Sequence, residues 1–432
     1  MTLSPARPTT ELWPGLLDVP TGARNSVAAP VARALFRAAV RRLDVTVEIT
    51  LGPGHREVLG RGGPVMRVHR PEEFYARIGR DGLIGFGEAY MTGAWDTDRP
   101  GDLGDFLTVL AAEIATLVPA RLQRARAFVV AKRPRLHRPD EHRSRDLIAH
   151  HYDLSNELFR LFLDPTMSYS SALFPAAPPS GPVAAGDLEE AQVHKVERLL
   201  DATGVGPGSR VLEIGTGWGE LAIRAARRGA HVHSVTLSVE QLELARERVA
   251  AAGLSDRVDI EICDYRNVPT AHPGRHYDAV LSVEMIEAVG AEYWPSYFAT
   301  LDEVLARGGL VGIQAITMPH DRMLATRGGY TWINKYIFPG GFLPSVRAIE
   351  EVARDHTGLR VADILSFGKH YAETLRQWDV RFLAAREERA ALGFDDVFER
   401  MWHLYLEYSR AGFASGYLDV HQIVLDRPQE RR

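Results

Sequence analysis

The chain has 432 residues, 45% of them hydrophobic, 25% charged and 9% aromatic, with a formal net charge of −5. This is ordinary globular composition, long enough for two or three domains and for a full core without covalent staples. The acidic balance excludes a global basic field for nucleic acid, the single Cys263 excludes an internal disulfide and fits a reducing compartment, and no apolar run reaches the length of a membrane span.

Residues 1–30 are rich in Pro, Thr, Ala and Gly and predict a flexible leader; Met1 to Pro8 lacks the apolar stretch of a signal peptide. Residues 31–118 predict a small mixed α+β domain. Val45 to Thr50 alternates like a strand, Leu51-Gly52-Pro53-Gly54 is a turn signal, Pro71 to Tyr75 opens a helix, and Phe86 to Trp95 predicts another short one. Residues 119–145 carry nine Arg or Lys against Asp140 and Glu141, and Pro134 and Pro139 discourage one continuous helix. This stretch reads either as a solvated linker or as a patch for anionic lipid headgroups, where each cation near the surface contributes about 1 kcal/mol.

Residues 146–432 read as one domain. From Asp187 onward, helices alternate with short apolar strands: a helix over Glu189–Leu200, strands at Val211–Ile214, Val232–Leu237, Val258–Ile262, Tyr277–Ser282 and Leu310–Thr317, and helices over Gly219–Arg228 and Val239–Ala252. That alternation predicts a parallel sheet covered by helices on both faces. Gly215-Thr216-Gly217-Trp218-Gly219 follows a strand and opens a helix, where glycine lets backbone approach a ligand closely. Its G-x-G-x-G spacing is not the dinucleotide fingerprint, so the loop suits a ligand without a pyrophosphate, such as S-adenosylmethionine. At the next strand end no acid is present for ribose hydroxyls, but Thr236 and Gln241 offer hydrogen bonds. Asp264 can accept from an adenine amino group while Tyr265 packs on the ring, or Asp264 is simply a helix cap. Cys263 has no base in reach and reads as a small buried residue. No metal site is expected, since His231 and His233 have no zinc-like partners in the sequence.

Taken together, His151 to Asn156, Met167-Ser168-Tyr169-Ser170, the Gly215 loop, Val235 to Ser238, Ser282 to Glu287 and Trp332 to Gly341 resemble the cyclopropane-fatty-acid and mycolic-acid cyclopropane synthase family. The resemblance runs from about residue 145 to 425, and Gly87 to Met91 resembles the extra domain of the phospholipid-acting members. It implies an α/β fold of the class I, Rossmann-like, S-adenosylmethionine-dependent methyltransferases with a helical lipid-binding insert. It also implies Tyr169, Ser170, Gly215, Thr216, Gly217, Thr236, Gln241, Asp264 and Tyr265 as cofactor contacts. The family holds a bicarbonate ion thought to take a proton from the added methyl. Its ligand positions are Ser171, Glu287, Gln314, Ile316 and Tyr371 here, with Ser171 in place of the usual cysteine and Gln314 in place of the usual histidine. A cysteine near the family's carboxyl end is replaced by Ser409.

The implied substrate is the cis double bond of an acyl chain in a membrane phospholipid, reached from the cytoplasmic, inner face as a peripheral protein. A homodimer is implied through the extra domain. Methylation leaves a cation on the chain, so the pocket must be dry, and Trp332, Tyr336, Phe338 and Phe342 are aromatic candidates to face it. Proton loss with ring closure gives a cyclopropane. Loss without closure gives a methylene branch, which a separate reductase could convert to methyl. Two other readings stay open: an N- or O-methyltransferase of a small molecule on the same fold, and a non-catalytic lipid-binding protein.

Overall fold

The catalytic chemistry expected of the chain rests on where one sheet ends. The computed structural model describes residues 12–117, 155–175 and 186–428. The basic stretch at 119–145 and the first four residues of the His151 motif lie outside the described residues. The chain divides into two units, each built from separated segments. One takes residues 1–132, 329–337 and 375–417; the other takes 133–328, 338–374 and 418–432. These units differ from the contiguous segments that the sequence suggests.

In the first unit a four-stranded sheet has the order β2-β1-β3-β4, with β1 at Thr46–Gly52, β2 at His55–Gly60, β3 at Val65–Val68 and β4 at Trp95–Thr97. β1 and β2 form the hairpin that the Pro53-Gly54 signal predicts, and β3 runs parallel to β1. The leader expected over residues 1–30 is helical from Ala23, in a helix that continues to Val40. Its alanines, read as looseness, carry high helix propensity, and Phe36 anchors it edge-on to Phe74 at 5.0 Å. The helix expected over Phe86–Trp95 runs instead over Leu83–Met91; Gly93 turns the chain at φ 74 so that Trp95 begins β4. Helix Trp332–Tyr336 is stitched to it: buried Glu88 accepts from Lys335 Nζ at 2.5 Å and from the Tyr336 hydroxyl at 2.9 Å.

In the second unit a seven-stranded sheet has the order β10-β11-β9-β8-β5-β6-β7. The strands are β5 (Arg210–Ile214), β6 (His231–Thr236), β7 (Val258–Ile262), β8 (Tyr277–Val283), β9 (Leu305–Thr317), β10 (Arg360–Ser366) and β11 (Asp419–Asp426). β7, β6, β5, β8 and β9 are mutually parallel, and β11 is antiparallel to both β9 and β10. Chain order reverses between β5 and β8, and in such sheets ligands bind beyond the carboxyl ends of the strands at that switch point. The strands β5 and β8 carry apolar runs, Val211–Leu212 and Ala279–Leu281, because both faces of the sheet are covered. One face carries Leu199, Ala222 and Val249; the other carries Trp294, Phe298 and Ile349. Among the described residues no helix is long and apolar enough to cross a membrane.

Candidate active site

β5 ends at Ile214, and the loop after it needs three left-handed glycines: Gly215, Gly217 and Gly219 have φ of 94, 52 and 88. A side chain at 215 would sit 2.7 Å from Met285 Cγ, so the loop is pressed against the segment that follows β8. At Gly217 a Cβ would meet nothing within 4 Å. The loop backbone therefore borders open space at the switch point, which is what a bound nucleoside needs. The Thr216 hydroxyl turns inward and shares a hydrogen bond with Ser234 Oγ at 2.7 Å; Ser234 donates to buried Glu213 at 2.5 Å. Burial pushes the Glu213 carboxyl up to about 8. Thr216 can thus offer a ligand its backbone, not its side chain.

At the end of β6 the Thr236 hydroxyl donates to Gln241 Oε1 at 3.1 Å, and the Ser238 amide donates to Thr236 Oγ1. After β7, Asp264 caps a short turn by accepting from the Arg266 amide at 3.0 Å, and it also takes the Arg266 guanidinium on both oxygens. The capping role is realised, and Arg266 leaves the carboxylate little free acceptor capacity. Tyr265 stands edge-on to Tyr297 at 5.3 Å, and burial pushes its phenol up to about 12. Cys263 donates to the Asp264 carbonyl, and burial pushes its thiol up to about 11, which makes it a poor nucleophile.

Residues 155–174 pack against the glycine loop. Trp218 Nε1 donates to Asn156 Oδ1 at 2.7 Å, and Arg248 donates to the carbonyls of Thr166 and Trp218 at 2.9 and 2.6 Å. Tyr169 lies edge-on to Phe159 at 5.1 Å. The Ser170 hydroxyl accepts from buried Lys195 Nζ at 2.6 Å, and its carbonyl accepts from Gln192 at 2.9 Å. Burial pushes the Lys195 ammonium down to about 8, against the pull of Glu284 and Asp164.

The carboxyl end of β8 supplies two carboxylates. Glu284 follows the strand at φ 52, one of two non-glycine residues among those described with positive φ. Its Oε1 accepts from the Ser171 amide and from Gln314 Nε2, both at 2.9 Å, and its Oε2 accepts from the Tyr371 hydroxyl at 2.7 Å. Glu287 Oε1 accepts from the Ile316 amide at 2.5 Å, while Oε2 is sealed from solvent without a hydrogen-bond partner among the described residues. Both residues are half-buried, densely surrounded by protein yet not closed off. Burial raises the Glu284 carboxyl while its three donors and Lys195 oppose the rise. Burial, then the neighbouring Glu284, pushes Glu287 up to about 8, so Glu287 holds its proton at neutral pH.

Ser171, Gln314, Tyr371, Glu287 and Ile316 therefore converge, and the residue that gathers three of them is Glu284. Sequence reasoning missed it. The available signal was a second acid three residues before Glu287. Behind it, Gln314 Oε1 accepts from Gln422, whose own carbonyl oxygen accepts from Arg198 at 2.8 Å. The Ser171 hydroxyl is fully buried and donates to the Ala172 carbonyl. Of the four aromatic candidates, Trp332 and Tyr336 belong to the first unit, where they lie against Gly87 and Glu88. Phe338 and Phe342 belong to the second, with Phe342 stacked on Trp294 at 5.8 Å. His233, Glu261 and His272 form a grouping not foreseen in the sequence: both imidazoles meet one Glu261 oxygen, at 3.0 and 2.7 Å.

The profile of the mycolic acid cyclopropane synthetase family matches residues 139–423. The tuberculostearic acid methyltransferase UfaA1 of Mycobacterium tuberculosis is 52% identical over 418 residues, 97% of this chain and 96% of that protein. The cyclopropane-fatty-acyl-phospholipid synthase of Escherichia coli K12 is 34% identical over 372 residues, covering 84% and 88%. Among solved structures, the mycolic acid cyclopropane synthase CmaA1 complexed with SAH and CTAB superposes with a TM-score of 0.57 at 29% identity, over 68% of this chain and 98% of that one. Coclaurine N-methyltransferase shares the fold at 17% identity, with a TM-score of 0.59. The fold is that of the class I methyltransferases, and the open backbone cradle at Gly217 fits S-adenosylmethionine as its cofactor. The chain belongs to the mycolic acid cyclopropane synthetase family and is an S-adenosylmethionine-dependent methyltransferase.

Proposed function

We propose that the protein methylates the cis double bond of an unsaturated acyl chain in a membrane phospholipid and releases a methylene-branched chain. The observation that carries this reading is the close approach of the cofactor loop to the paired carboxylates: Gly215 abuts Met285, which lies between Glu284 and Glu287. Bound S-adenosylmethionine supplies an electrophilic methyl on sulfonium. Gly215, Gly217 and the backbone of Thr216 would border its amino-acid and ribose parts. Thr236, Gln241, Asp264 and Tyr265 would line its nucleoside end, and Tyr169 and Ser170 the side nearest the acyl chain.

An alkene is a weak nucleophile, so the chain's main contribution is alignment in a dry site. When the alkene takes the methyl, the adjacent chain carbon becomes a cation. A hydride shift from the methyl-bearing carbon moves that charge onto it. A carboxylate at the end of β8 then takes a proton from the methyl, and the C–H electron pair becomes the carbon–carbon double bond of the methylene branch. Phe338 and Phe342 in the second unit are the aromatic faces available to the cation. The methylene outcome is supported by the 52% identity to an enzyme named for tuberculostearic acid. It calls for a separate reductase to yield a methyl branch. The cyclopropane outcome is the second reading, favoured by the family description and by the E. coli relative. Access to the bilayer would be peripheral, at the cytoplasmic face, and a homodimer is part of the same reading.

The products are separated by incubating the purified protein with S-adenosylmethionine and oleoyl phospholipid vesicles, then hydrogenating the released fatty acid under mild conditions before mass spectrometry. Uptake of hydrogen identifies the methylene branch. A methylated chain that resists hydrogenation is the cyclopropane.

A further inference from the structure

Glu284 sits where an anion would be held. The Ser171 amide, the Gln314 amide group and the Tyr371 hydroxyl all donate to its carboxylate. These are three of the five positions that the family resemblance assigns to a bicarbonate ion. Its Oε1 has both lone pairs filled, and Oε2 keeps one free after Tyr371. Gln314 cannot turn toward another ligand without giving up Gln422, which holds its carbonyl oxygen at 3.2 Å. A bicarbonate placed among these donors would have to expel the Glu284 carboxylate from them and would then sit as a second anion beside it. Like charges so close disfavour one another. The ion therefore does not fit this site as it is built.

We infer that the Glu284 carboxylate is itself the group that takes the proton from the methylated acyl chain, so that this protein works without a dissolved bicarbonate. The inference rests on the proposed acyl-chain reaction. Three further observations favour it. The backbone holds a glutamate at φ 52, where glycine would be relaxed, so the carboxylate is kept at that point despite local strain. Glu287 retains its proton at neutral pH and so adds no second charge, while three donors favour the charged form of Glu284 against the burial that raises it. Lys195 lies near enough to favour that charge. In the step itself the C–H bond of the new methyl breaks and its electron pair forms the carbon–carbon bond of the product. The proton goes to Glu284 Oε2, and S-adenosylhomocysteine has already left with the sulfur electron pair. Glu284 is half-buried, so the proton can pass to solvent before the next turnover.

The test compares the full-length wild type with Glu284→Gln and Glu284→Gly, using oleoyl phospholipid vesicles in carbon-dioxide-free buffer with and without added bicarbonate. Wild-type turnover is expected to be the same in both buffers. Glu284→Gln is expected to lose about 100-fold in turnover or more, the range of a lost general base, with S-adenosylhomocysteine binding retained in calorimetry. Glu284→Gly relieves the positive φ and vacates the three donors, so its residual turnover is expected to rise when bicarbonate is added. A wild type that makes methylated lipid only with bicarbonate, or a Glu284→Gln variant that turns over normally, overturns the inference alone. A wild type that methylates no lipid in either buffer overturns the acyl-chain reading beneath it.

Discussion

The Tyr371 hydroxyl donates to Glu284 Oε2 at 2.7 Å, joining a helix that follows β10 to the carboxyl end of β8. A hydrogen bond to a charged group contributes about 1.5–3 kcal/mol. Tyr371→Phe removes that donor and keeps the ring. It is expected to lower turnover by about 10-fold to 100-fold, the kinetic equivalent of that energy, with cofactor affinity unchanged. Steady-state kinetics beside calorimetry checks this, and unchanged turnover would remove Tyr371 from the proton-accepting group.

Gly217→Ala tests the glycine loop proposed to hold the cofactor. The new methyl meets no protein atom, so its cost to the fold is only that of a left-handed alanine, about 1 kcal/mol. It would project into the space assigned to the cofactor. S-adenosylhomocysteine affinity is expected to fall about tenfold or more, a loss of about 1.4 kcal/mol, with a small change in melting temperature. Unaltered affinity in calorimetry would place the nucleoside elsewhere.

Glu287 makes stability depend on pH in a stated direction. Its folded-state carboxyl is raised to about 8 from the ordinary 4.5, so its unfolded form binds fewer protons between those values. Stability contributed by the neutral carboxyl is complete below the lower value. It is lost as pH climbs toward about 8 and is level above it. Glu287→Gln has no such proton to lose. The melting temperature of wild type relative to Glu287→Gln is therefore expected to fall across that window. The loss is on the order of 1 kcal/mol rather than the full linkage value, because a half-buried group relaxes toward solvent. A difference that is flat with pH would contradict the raised carboxyl.

In the first unit, Glu88 is buried with Lys335 and Tyr336 as partners. Glu88→Ala takes the shared acceptor from Lys335 and Tyr336 and the more distant of two carboxylates from the buried Arg77 guanidinium, which keeps Glu73 at 2.9 Å. Loss of hydrogen bonds to a charged group costs about 1.5–3 kcal/mol. Chemical denaturation is expected to show the loss in a first transition, and a midpoint unchanged from wild type would refute it.

The parts of the fold legible in the sequence are those with local signals. Ser238 and Asp187 mark helix starts by side-chain caps at Gln241 and Glu190, and the glycine loop announces itself by spacing after an apolar strand. The helix from Ala23 was hidden because its Pro30 and its many small residues imitate a loose leader, and only contact with Phe74 reveals it. The first unit draws residues 329–337 and 375–417 to the amino-terminal segments through long-range pairs such as Glu88–Lys335 and Gly104–Glu407. No local pattern encodes those pairs. The site divides in the same way. Glu287, Gln314 and Tyr371 could be named from motif positions, but the meaning of Glu284 depends on four separated segments meeting at one carboxylate.

The acyl chain as methyl acceptor is tested most directly with methyl-labelled S-adenosylmethionine and vesicles that differ only in chain unsaturation. Label is expected in the fatty-acid fraction of oleoyl phospholipid and none in that of stearoyl phospholipid. Equal labelling of the two, or label confined to a small soluble amine offered in the same mixture, would contradict it.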